Sequence, residues 1–290
     1  MKGKVYLVGA GPGDPELLTV KAYRILREAD VVLHDSLVNT AILEFASPAA
    51  KIVNVGKRCG SKEITQLEIN SLMVEHARAG LCVVRLKGGD PLVFGRAGEE
   101  IEALREAEVD FEIVPGVTAA FAAAAAAAIP LTDRRFASSL LFLTGHLAAD
   151  KERTSCTTWP PLASPDTTLV IYMPGNDYAH IASELTAAGV ARETPCLVVA
   201  NASSADEEVH ATTLETLTQI PGLRSPKLLI VGGVAGLARD CELKGATVNT
   251  VMAWYGEQLG TSSAGQGISG VNQVGDCLSA LSPVCTDTRS

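Results

Sequence analysis

Short apolar runs separated by amphipathic stretches set the rhythm of the first half of the chain. Residues 4–8, 31–35, 52–55, 82–84 and 111–114 read as strands, too continuously apolar to have one face in water. Between them lie helical patterns. Leu18, Ala22, Ile25, Leu26 and Ala29 form one stripe, and Asp14 followed by Pro15 supplies the start signal for a helix running to about residue 29. Thr65 with Glu68 makes a capping box that opens a helix through Ala79, with Gly80 as its stop. A further helix begins near Gly98, and an alanine-rich one begins at Thr118. The second half repeats the alternation, with strands over 140–144, 168–172, 195–200 and 227–231 and a helix over about 177–188. The pattern predicts two α/β layers with a cleft between them: a domain over 1–133, a second over 134–244, and a flexible or loosely packed tail over 245–290.

Composition narrows this further. Hydrophobic residues make up 47% of the 290 and aromatics 4%, so the cores are aliphatic and stacking on single-stranded nucleic acid is poorly supported. The formal net charge of −9 argues against general binding to nucleic acid or to an anionic membrane. Locally the balance reverses. Between Lys51 and Arg96 there are eight Lys or Arg against four acids, a basic wall that suits a small polyanion or, as readily, a solvated surface. Seven cysteines without a Cys-x-x-Cys pair fit reduced thiols in a cytosol. The longest apolar segment, 117–131, is shorter than the roughly 20 residues of a membrane span. These features together predict a soluble, cytoplasmic protein.

The candidate chemistry sits where strands end. Arg85-Leu86-Lys87-Gly88-Gly89-Asp90-Pro91 follows a strand and precedes a helix, and its glycines let backbone groups approach a ligand closely. Gly9-Ala10-Gly11-Pro12-Gly13-Asp14 forms a second such loop. A dinucleotide fingerprint would have glycine in place of Asp14, which weakens an NAD-binding oxidoreductase as an alternative. Asp35 and Lys57 are delivered to adjacent strand ends, as a cleft pair or a surface salt bridge. Thr118 offers a hydroxyl and free amides at a helix start, for an anionic group or as a plain cap. The five histidines have no close ligand spacing, so no metal is expected.

Taken in order, these motifs resemble the S-adenosylmethionine-dependent tetrapyrrole methyltransferases. The resemblance runs from about residue 3 to 244. It rests on the loop through Asp14, Asp35 with Leu37-Val38, Gly56-Lys57-Arg58, Gln66 with Glu68-Ile69-Asn70, Arg85 through Arg96, Pro115 through Ala120, Ile129 through Thr132, Thr144-Gly145-His146 and Tyr172-Met173. It implies a cofactor cleft between two α/β domains, a homodimer, and methylation of uroporphyrinogen III at C2 and C7 to give precorrin-2. Pro12, Gly88, Gly89, Asp90, Val93, Thr118, Ala119 and Met173 match positions that hold S-adenosylmethionine in the family. Asp35 matches its proposed base and Lys57 its proposed acid. Arg58, Arg96 and Arg134 are the candidates for the substrate's eight carboxylates, because a guanidinium binds a carboxylate in a bidentate fashion. The chain departs from the family at Ser36 (usually arginine), His34 (often tyrosine), Asp133 (usually histidine), Ala97 and Ala202 (both usually glycine). Losing an arginine and gaining an acid leaves a later corrin-ring methyltransferase, or a protein that holds the cofactor without turning it over, as alternatives.

Overall fold

The computed structural model describes residues 3–56, 64–145 and 166–238. Its first sheet is wholly parallel, with β1 (Lys4–Gly9), β2 (Val31–His34), β3 (Lys51–Asn54), β4 (Cys82–Lys87) and β5 (Asp110–Val114) in the order β3-β2-β4-β1-β5. Both faces are covered. Val8, Val32, Val84 and Leu86 pack with Ile25 and Leu26 of α1 (Val20–Arg27) on one side. Val5, Leu7, Leu33 and Val83 pack on the other, with Met73 of α3 (Gln66–Arg78) and Leu104 of α4 (Ala97–Glu106). Alternate strand residues go to opposite faces, and in the inner strands β2, β4 and β1 both faces are buried, which is why those strands read as unbroken apolar runs.

The second sheet has the order β6-β7-β10-β8-β9, from β6 (Ser139–Thr144), β7 (Thr167–Tyr172), β8 (Pro195–Ala200), β9 (Glu208–Thr213) and β10 (Lys227–Val231). Only β6 and β7 run parallel; the other pairings are antiparallel. One face packs on α6 (Tyr178–Ala187) through Tyr178, Ile181 and Leu185. The other receives α5 (Ala119–Ala126), whose Ala120, Ala123 and Ala124 lie against Val170, Leu197, Val199 and Ile230. A helix apolar nearly all round is a buried helix, and its alanines let it sit close to the sheet.

Three expectations need correction. The helix predicted from Asp14 to about residue 29 is broken: Pro15–Leu17 is a 3-10 turn capped by Asp14, Leu18 is extended, and Thr19 caps α1 by accepting from Ala22 N at 3.2 Å. Two capping side chains five residues apart stop and restart the helix. β9 went unpredicted because Glu208-Val209-His210-Ala211-Thr212-Thr213 has little apolar contrast; its partner β8 makes it a strand. The short helix α2 (Thr40–Leu43), capped by Asn39, was also missed. Residues 146–165, His146 among them, and the tail 245–290 lie outside the described residues.

Candidate active site

Three loops at the carboxyl ends of β1, β4 and β5 meet to form a crest. Gly89 N donates to Gly11 O at 2.7 Å and Gly11 N to Gly89 O at 3.1 Å, which stitches the first two loops together. The third loop lies so close that a Cβ on Gly116 would come 2.4 Å from Gly89 O, and Gly89 itself has φ +68°. Asp90 braces the same junction: its Oδ1 accepts from Leu92 N at 2.8 Å and its Oδ2 from Gly116 N at 3.0 Å. Any side chain at Gly116 would push the loops apart.

Opposite the crest stands the end of β7. The Tyr172 hydroxyl lies 2.6 Å from Thr118 Oγ1 and accepts from Ala120 N at 3.2 Å, so Tyr172, and not Thr118, caps α5. Burial pushes the Tyr172 phenol up. Phe94 packs on the Tyr172 ring with centroids 4.9 Å apart. Phe94, Arg96 and Met173 hold positive φ angles of 51°, 56° and 51°. Strained backbone at non-glycine residues clusters at binding sites, and these three share one rim. Met173 is 48% exposed, an apolar thioether open to a ligand.

Beneath the crest lies a cluster of buried charges. Arg85 Nη2 is 2.5 Å from Asp35 Oδ1, Arg85 Nε 2.9 Å from Glu100 Oε1, and Lys87 Nζ 3.0 Å from the same Glu100 oxygen. Gln66 Nε2 donates to that oxygen as well, at 3.3 Å. Desolvation, followed by the neighbouring Arg85 guanidinium, lowers the Lys87 ammonium from the ordinary lysine value.

Crest, rim and charge cluster line one cavity of about 730 Å³, within the usual range for a small-molecule site. Pro12, Gly88, Gly89 and Asp90 line it from the crest. So do Val93, Thr118, Ala119 and Met173. Asp35 and Arg96 belong to the lining too, although Arg96 already holds Glu99 through Nε at 2.8 Å and Nη2 at 2.7 Å. Arg134 is exposed and outside the lining. Lys57 and Arg58 lie outside the described residues, directly after the lining residue Gly56. Of the departures, Ala202 lines the cavity. Asp133 does not; it clamps Arg135, whose guanidinium holds the Asp133 carboxyl at about 2. Sequence reasoning missed Tyr172 as the α5 cap and Glu100 as the buried partner. Arg85 and Lys87 two apart in an apolar strand point to one face and need a buried countercharge there, which was the available signal.

Backbone cradles, an apolar wall and a few fixed polar groups suit a zwitterionic nucleoside with an apolar edge. Among the described residues no group of three or more His, Cys, Asp or Glu could hold a metal ion, and no helix is long and apolar enough to cross a membrane.

An α/β chain with this crest has known counterparts. The family of tetrapyrrole (corrin/porphyrin) methylases matches residues 4–218, and the chain belongs to it. Among individual relatives, it is 46% identical over 245 residues to the uroporphyrinogen-III C-methyltransferase of Paracoccus denitrificans, covering 83% of this chain and 84% of that protein. It is 47% identical over 255 residues to a siroheme synthase of Psychromonas ingrahamii, covering 88% of this chain and 51% of that protein. The chain thus spans about half the length of the siroheme synthases it matches. The crystal structure of uroporphyrin-III C-methyl transferase from Thermus thermophilus complexed with S-adenyl homocysteine superposes with a TM-score of 0.68 at 42% identity, covering 81% of this chain and all of that one. Family membership displaces the NAD-binding reading.

Proposed function

We propose that the chain transfers methyl groups from S-adenosylmethionine to pyrrole carbons C2 and C7 of uroporphyrinogen III, giving precorrin-2 for sirohaem or cobalamin synthesis. One observation carries the reading: all eight residues at the family's cofactor positions, and Asp35 with them, line a single cavity. The relatives from Paracoccus denitrificans and Thermus thermophilus bear names of that activity. We further read the two sheets as two domains dividing near residue 133, with α5 reaching across to the second sheet, and the active protein as a cytoplasmic homodimer without a metal.

The cofactor supplies an electrophilic methyl group on a sulfonium, and the electron-rich pyrrole carbon needs little beyond in-line positioning to take it. Pro12, the Gly88-Gly89-Asp90 turn, Val93, Thr118 and Ala119 would hold the cofactor, its polar ends on backbone amides and the Thr118 hydroxyl, and Met173 would supply an apolar contact for its adenine. The packed Phe94 and Tyr172 rings give one side of the cavity an apolar wall. After methylation a proton must leave the ring system. Asp35, held by Arg85, accepts it; Lys57 serves as the acid. Arg58, Arg96 and Arg134 take substrate carboxylates, with Arg96 exchanging its pairing to Glu99 for the ligand. The test is anaerobic incubation with uroporphyrinogen III and S-adenosylmethionine, followed by mass spectrometry of the tetrapyrrole. A gain of two methyl groups is expected, and Asp35→Asn should lower kcat by about 10²–10⁴-fold. No gain of mass with cofactor still bound would overturn the substrate assignment.

A further inference from the structure

We propose that Glu100 is a positioning residue for the Asp35 carboxylate, acting through Arg85. The inference rests on the reading of Asp35 as proton acceptor, and extends it to a residue that never meets the substrate.

Glu100 has no exposed surface. A carboxylate stripped of water costs several kcal/mol unless cations and hydrogen bonds replace the hydration. Three donors do so at one oxygen: Arg85 Nε, Lys87 Nζ and Gln66 Nε2 converge on Oε1. Oε2 has no partner. Such a cluster is a poor investment in stability, because apolar side chains of similar volume often do as well. Its geometry accounts for it better. The Arg85 guanidinium is planar and rigid, so fixing one edge aims the other. Glu100 takes Nε, the Leu33 and Leu86 carbonyls take Nη1 at 3.3 and 3.4 Å, and Nη2 is left directed at Asp35 Oδ1. Asp35 is therefore held by one oxygen. Among the described residues nothing bonds to the other, and the side chain is 28% exposed where it lines the cavity.

Glu100 also sets the charge around Asp35. Facing that carboxylate are Arg85 and Lys87 from β4 and Glu100 from α4, while α3 contributes the neutral Gln66 and Asn70. His34, on β2, places Nδ1 3.0 Å from the Asp35 carbonyl oxygen, and Arg96 and Glu99 neutralise each other at the rim. Arg85 and Lys87 bring two positive charges to this cluster. The negative charge of Glu100 opposes them.

The experiment is carboxyl-carbon NMR of Asp35 in the full chain at one pH, assigned with Asp35→Asn, in wild type and Glu100→Gln, alongside steady-state kinetics. In Glu100→Gln the Asp35 resonance should move and broaden, because the guanidinium that holds its Oδ1 is no longer fixed at Nε. kcat should fall by about 10–100-fold with KM changed less than about threefold. Glu100→Asp should restore part of both. An unchanged Asp35 resonance with wild-type kcat in folded Glu100→Gln overturns the proposal. If Glu100→Gln does not fold, Arg85→Lys decides: it keeps the charge but has one nitrogen for two carboxylates, and wild-type kcat and resonance there overturn the proposal equally. The resonance needs no substrate, so it still reads the coupling of Glu100 to Asp35 if uroporphyrinogen III proves to be the wrong acceptor.

Discussion

Replacing Tyr172 by phenylalanine removes one hydroxyl and should loosen the joint between the two sheets. That oxygen takes the Thr118 hydroxyl at 2.6 Å and the Ala120 amide at 3.2 Å. Thr118 does not cap α5 itself, and Ala120 is fully buried, so water does not readily replace the lost acceptor. An orphaned buried N–H costs about 1–3 kcal/mol and a lost hydroxyl pair about 0.5–1.5 kcal/mol, which together give roughly 2–4 kcal/mol. For a chain of this size that lowers Tm by about 5–12 °C. Scanning calorimetry of wild type, Tyr172→Phe, Thr118→Val and the double variant measures it. Thr118→Val alone should cost about 1 kcal/mol, and because both singles break one bond, the double should cost less than their sum by a similar amount. A Tyr172→Phe protein melting within about 1 °C of wild type would refute the reasoning, since the amide would then have found another partner.

Further consequences follow from the glycines and the surface charges. Gly116→Ala places a Cβ against Gly89 O and Gly9 Cα; a loss of about 2–4 kcal/mol and of cofactor affinity is expected by denaturation and calorimetric titration. Gly98→Ala, whose Cβ meets nothing within 4 Å on α4, should instead raise stability by about 0.5–1 kcal/mol in the same assay. Glu112 is held at about 2 by Lys21 and by Lys4, the latter at 2.6 Å. Its folded value lies below its ordinary one, so its stabilisation is complete above about pH 4.5 and is lost as pH falls toward 2. Glu112→Gln should therefore flatten the urea midpoint against pH across that window, and a curve parallel to wild type would count against the pairing.

Much of the fold was legible because strands buried on both faces leave unbroken apolar runs whatever their direction: the parallel Val31–His34 and the antiparallel Lys227–Val231 were predicted to within a residue. Capping chemistry was legible where it is local, as at Thr65 and Glu68. It failed where the partner is distant. Nothing near Thr118 announces that Tyr172, 54 residues on, caps its helix. The break after Leu17 was hidden for another reason: Asp14 and Thr19 are both competent caps, and periodicity alone runs through them. The crest residues could be placed in one cavity from their position at strand ends, but Asp90's bracing of Gly116 needs coordinates.

Charge counting along the sequence does not separate buried cations from exposed ones. Arg85 and Lys87 belong to the basic stretch between Lys51 and Arg96, yet both are buried and both are neutralised by acids. One of those acids, Glu100, falls just beyond the stretch. With Asp35 it balances the pair, so these two cations offer no net attraction for a polycarboxylate. For the proposed reaction such a balanced cluster suits a pyrrole ring, where a buried unpaired cation would bind a carboxylate instead. Carboxylate recognition then falls to the rim, where a guanidinium such as that of Arg96 is half exposed and trades one carboxylate, Glu99, for another at little cost. On the proposed reaction, ions that position the base would be the buried, already paired ones and ions that recognise substrate the exposed, exchangeable ones; the two sets cannot be told apart by charge in the sequence, only by what lies against each.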